Sequence, residues 1–97
     1  MRTLTYLDEF RTEADNALFT KAQALAVAGK LLELERNDPN NTEEDVALFD
    51  RAIQRADFRY IDQTKTETDR ILDECGVARI TAQDIVEAIR TLLFDVG

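Results

Sequence analysis

The 97-residue chain contains no histidine and a single cysteine, Cys75. Without histidine it lacks the commonest general base, the commonest metal ligand and the usual side chain for a charge switch near neutral pH. A lone cysteine excludes an internal disulfide and any cysteine-based zinc site. Hydrolytic or redox-metal chemistry would have to run on carboxylates alone, and no nucleophile–base pair is visible. No catalytic residue, cofactor or metal is expected, and the chain reads as a non-enzymatic protein.

Turn-forming residues are also scarce. Three glycines and one proline favour long uninterrupted elements. No apolar run is long enough to span a bilayer, since "ALAVAGKLLEL" is broken by Lys30. The opening "MRTLTYLDEF" carries acids where a secretory signal needs a clean apolar stretch. A soluble, cytoplasmic protein without membrane contact is expected. Hydrophobic content of 44% is ordinary for a globular chain, here one domain over residues 1–97.

Positive charge is in deficit: 12 basic side chains face 20 acidic ones, a net charge of −8. Residues 37 to 76 account for −6 of it, with 5 basic and 11 acidic groups. Such a surface repels phosphate, so direct nucleic-acid binding is not expected. It attracts basic protein partners, and it also keeps a small protein soluble.

What is present is helical periodicity. The spacing of Tyr6, Leu7, Phe10, Ala14, Leu18, Leu25, Ala28, Leu31 and Leu32 predicts one helix from about Thr5 to Arg36. Thr5 is its expected N-cap, with Asp8 as capping-box partner. Pro39 in "NDPNN" ends the pattern. Thr42 opens a second predicted helix that carries Val46, Phe49, Ile53, Tyr60 and Ile71 to Cys75, with Gly76 as left-handed cap. Two helices of roughly 45 Å each, joined by so short a link, predict a long antiparallel hairpin. No repeat and no low-complexity tract is visible.

The stretch "ITAQDIVEAIRTLL" (80 to 93) predicts a short third helix. Thr81 and Asp84 form a capping box, and Ile80 with Ile85 forms a hydrophobic staple. Ile85, Val86, Ile89, Leu92 and Leu93 make its buried face. The expected fold is therefore all-α, a long hairpin with a short C-terminal helix, assembling into a helical-bundle oligomer.

The same stretch, from Ile80 to Leu93, resembles the loop and last helix of histone-fold proteins. Their Ile/Val-Thr-x-x-Asp/Glu-Ile start and Ala-Ile/Val-Arg continuation are matched here. The resemblance implies a helix-pairing protein built on residues 42 to 93. The sequence departs from it in the loop "CGVAR", whose only basic residue is Arg79, and in its acidic balance.

Several polar positions bear on contacts. Lys21 falls on the first helix's apolar stripe, opposite Asp57 in the hairpin register, as an ion pair, as a partner's anchoring point or with its amine reaching solvent. "QTKTETDR" (63 to 70) interrupts the second stripe as a frayed or kinked segment, a partner patch or a solvated face. Asp62, Asp69 and Asp73, with Glu74, form an acidic row suited to a basic partner. Arg51, Arg55 and Arg59 form a basic row offset by neighbouring acids. Phe19, Val27, Leu34, Leu48 and Phe58 fall away from the main stripes. A two-helix layer cannot bury both sides, so they are the expected interface of a homodimer or higher oligomer.

Three functions follow as expectations. The first is a protein-interaction adaptor or inhibitor, including regulators of phage or mobile-element type. The second is an acidic mimic of nucleic acid that blocks a DNA-binding or defence protein. The third is a histone-fold-like pairing protein.

Overall fold

A computed structural model of the chain describes residues 3–55 and 66–94. Among them lie α1 (Thr5–Glu13), β1 (Leu18–Phe19), α2 (Lys21–Arg36), α3 (Glu43–Arg55), α4 (Glu67–Glu74), β2 (Ile80–Thr81) and α5 (Ala82–Phe94). The all-α class holds, apart from a strand pair two residues long. None of these helices is long and apolar enough to cross a membrane.

Each long predicted helix is broken, and threonine marks both breaks. Thr20 adopts extended backbone, and its hydroxyl accepts the amide of Gln23 while the Gln23 side chain accepts the amide of Thr20. A reciprocal cap of this kind starts a helix, so α2 begins at Lys21 instead of continuing α1. Thr66 is likewise extended and accepts the Asp69 amide, which starts α4 afresh. Helical periodicity does not register the break at Thr20, because the apolar spacing on either side stays in phase, whereas the break at Thr66 falls inside the polar stretch from 63 to 70.

The caps predicted at Thr42 and Thr81 are present. Thr42 and Asp45 exchange amide-to-side-chain bonds of 3.1 and 3.2 Å, and Thr81 and Asp84 do the same at 3.2 and 3.1 Å. Gly76 has φ +72°, with Gly76 N–H donating to Asp73 O and Val77 N–H to Leu72 O. These two bonds make the Schellman closure that a left-handed glycine permits. At Thr5 the prediction fails. Leu4 holds the cap position with no side-chain cap bond, and Asp8 pairs with Arg11 and Arg90 instead.

The two strands pair antiparallel, with Leu18 opposite Thr81 and Phe19 opposite Ile80. This pairing joins two helix–strand–helix units, α1–β1–α2 and α4–β2–α5, that sequence reading does not reveal. Their landmarks correspond at a constant offset of 61 residues: Ala14 and Cys75 as helix C-caps, Phe19 and Ile80 in the strands, Thr20 and Thr81 as caps. The buried positions follow the same offset, with Ala24, Ala28, Leu31 and Leu32 matching Ile85, Ile89, Leu92 and Leu93. The repeat is hidden because small residues in α2 stand where α5 carries large ones. Such small-against-large pairing is how facing helices interdigitate.

The core joins these faces with Leu4, Leu7, Phe49 and Ala52, and α2 packs against both α3 and α5. The C-terminal helix α5 contributes most to the core, with seven of its residues buried. α4 behaves differently, because none of its residues is buried. Where α1 buries Leu7, the offset puts Thr68 in α4, an exposed residue of the polar gap.

Candidate partner-binding surface

The surface residues of α4 are set by its amphipathic but mostly polar sequence, ETDRILDE. Glu67 and Asp69 lie in the first turn, where the helix dipole favours negative charge. Arg70 reaches Glu67 three residues before it and Glu74 four residues after it, the latter at 2.8 Å. The hydrogen bonds that Arg70 donates to Glu67 hold its exposed guanidinium above its ordinary pKa; desolvation opposes this, and the bond to Glu74 adds to it.

The acidic row predicted from sequence is not a free row. Asp62 lies outside the described residues, and Glu74 is engaged by Arg70. Asp69 and Asp73 converge on Arg79, whose guanidinium stands 3.9 Å from Asp69 and 2.5 Å from Asp73. The side chain of Asp73 is only 8% exposed and that of Arg79 21%. Asp73 Oδ1 and Arg79 Nε are buried without a hydrogen-bond partner. Arg79 also ties this cluster to the strands, its amide donating to Phe19 O at 3.0 Å. The left-handed Gly76 between Asp73 and Arg79 folds the loop back on the helix end; the glycine was legible in the sequence, the pairing it allows was not.

The predicted apolar interface divides. Phe19 is half-buried, its ring centroid 5.8 Å from that of Phe10, and Val27 and Leu48 also pack against the core. Leu34 is exposed at 40%, and Phe58 lies outside the described residues. Among the described residues, the other large exposed apolar side chains are Leu18, Ile71, Val77 and Phe94. Ile71 and Val77 flank the α4 turn, and Leu18 sits in the strand beside it. Sequence reasoning missed them because it placed Leu18 and Ile71 on the buried stripes of unbroken helices.

Lys21, expected in mid-helix, is the first residue of α2 and half-buried; Asp57 lies outside the described residues. Arg51 and Arg55 are exposed on α3, whereas Arg59 is outside. Arg36 pairs with Asp50 at 2.9 Å, and that hydrogen bond raises its pKa. Among the described residues, no group of three or more His, Cys, Asp or Glu side chains is placed to hold a metal ion. The turn from Cys75 to Thr81 contains no carboxylate. Chemically, this surface can offer carboxylates and apolar side chains to a second molecule.

Compared with protein-family models, curated proteins and solved structures, the chain finds no match.

Proposed function

We propose that the chain is a non-enzymatic interaction module, an adaptor or inhibitor, that binds a basic protein through α4 and the turn after it. One observation carries this reading. α4 buries no residue and displays Ile71, 48% exposed, among carboxylates, followed by Val77 at 41%. Exposed aliphatic side chains rimmed by charge are the composition of a contact surface. The net charge of −8 selects a partner of the opposite sign.

Self-association is the second reading. Leu34 at 40% and Phe94 at 51% exposure favour it, as apolar groups on helices that otherwise face the core. Light scattering at micromolar concentration decides it, and a strict 11.1 kDa monomer would end it. The nucleic-acid mimic gains less support, because Asp69 and Asp73 are paired internally. The histone-like reading loses its continuous central helix at Thr66.

The test of the first reading is binding of a labelled, helix-forming peptide rich in arginine and leucine. Anisotropy at low and high salt is expected to show binding that weakens with salt and is lost in Ile71→Ser. No binding at low salt, or binding that Ile71→Ser leaves intact, would overturn it.

A further inference from the structure

We propose that Arg79 is an autoinhibitory occupant of the Asp69–Asp73 pair, an internal guanidinium that a partner's arginine displaces on binding. The proposal rests on the basic-partner reading above and names how that surface is regulated.

The chemistry of the occupant is already on the surface. A guanidinium stands against both carboxylates, so their spacing accepts the group that a basic partner would bring. The internal fit is incomplete. Asp73 Oδ1 and Arg79 Nε are both buried, and neither makes a hydrogen bond. Carboxylates are best satisfied by a two-pronged guanidinium, which bonds both oxygens at once. Arg79 meets Asp73 through Oδ2 alone, with its second arm 3.9 Å from Asp69. An incoming arginine approaching from solvent is free of the loop geometry that imposes this compromise.

Position makes Arg79 an effective competitor nonetheless. It lies six residues from Asp73 across the Gly76 turn, so its local concentration is on the order of millimolar or higher. A partner therefore has to displace a tethered rival, which keeps weak or isolated basic groups from binding. Displacement leaves the strands paired, because the Arg79 amide, not its side chain, bonds Phe19 O. The released side chain is itself positively charged, so it then opposes a second basic group at the same place.

The experiment compares the unaltered protein with Arg79→Gln, Arg79→Lys and Arg51→Gln, using the same labelled arginine–leucine peptide at low salt. Arg51 is exposed on α3 and provides an equal change of net charge elsewhere. Arg79→Gln is expected to bind about threefold to fivefold more tightly, because one internal ion pair no longer has to be broken before the peptide binds. Arg79→Lys, a compact charge without the planar fork, is expected to fall between them. Arg51→Gln is expected to change little. Binding by the unaltered protein that Arg79→Gln leaves equal or weaker overturns the proposal alone. Equal tightening by Arg51→Gln overturns it too, as a bulk charge effect. No binding by any of the four removes the basic-partner reading and this proposal with it. If Arg79→Gln does not fold, Arg79→Lys and the Arg79 Nε–H signal of the unaltered protein decide the matter. Saturating peptide is expected to accelerate exchange of that proton, and unchanged exchange overturns the proposal.

Discussion

Glu35, fully buried near the end of α2, accepts the backbone amide of Tyr6 at 2.7 Å, although the two residues are 29 positions apart. The bond fills the role that Thr5 does not, satisfying a free amide in the first turn of α1 with a carboxylate where the dipole is positive. It also fastens α1 to α2. Glu35→Ala is expected to lower unfolding free energy by about 1–3 kcal/mol, from a lost hydrogen bond and a buried amide left bare. Urea unfolding measures it, and Glu35→Gln, which keeps an acceptor, should cost less. A loss under about 0.5 kcal/mol for the alanine variant would show that the bond is not holding the helices together.

Ile89 and Ala28 occupy corresponding places in the two units, and both are buried. Ile89→Ala opens a cavity at the centre of the core, and the expected cost is about 2–5 kcal/mol. Ala28→Ile inserts volume where none is free, costing about 1–3 kcal/mol. Both are checked by thermal unfolding. A stabilised Ala28→Ile protein would mean that the α2–α5 contact has room that the buried positions do not suggest.

How far the sequence predicts this structure depends on the physics of each feature. The caps at Thr42 and Thr81 and the left-handed Gly76 were legible because each is a local pattern with a local cause. So was the apolar face of the last helix, where Ile85, Ile89 and Leu92 recur at helical spacing. The break at Thr20 was not, since the apolar phase runs through it unbroken; at Thr66 the polar stretch from 63 to 70 suggested a kink without fixing where the helix restarts. The pairing of Phe19 with Ile80 was not, because a two-residue strand leaves no periodic trace. Nor was the buried Glu35, a polar side chain whose partner comes from a distant turn. At the candidate surface, Asp69 and Asp73 were legible as acids, but their capture by Arg79 depends on a turn that only the folded loop completes.

Thr20 and Thr81 start equivalent helices with equivalent reciprocal caps. Each alanine substitution is expected to cost about 1 kcal/mol, the usual value of such a cap. Because the strands lie side by side, the two losses are expected to be non-additive in the double variant. Chemical denaturation of the four proteins forms the required cycle. Strict additivity would argue that the paired loops fold independently.

The last prediction concerns α4, the helix with no buried residue. Local stability follows buried apolar contact, so the amides of α4 are expected to exchange by local opening, well ahead of those in α5, which has seven buried residues. The Asp69–Arg79–Asp73 cluster and the Gly76 closure are what hold its C-terminal end. Gly76→Ala places a Cβ on a backbone at φ +72°, a strain of about 1–2 kcal/mol even though no neighbour lies within 4 Å of the added carbon. That strain acts on a helix already near the unfolded side, so it should appear as faster exchange throughout α4 with little change in α5. Raising salt should act in the same direction, chiefly by screening the exposed pairs of Arg70 with Glu67 and Glu74 and less at the more buried Arg79 cluster. Hydrogen exchange followed by mass spectrometry separates these segments. Equal protection of α4 and α5 in the unaltered protein would show that the first is anchored by more than its cap and its ion pairs.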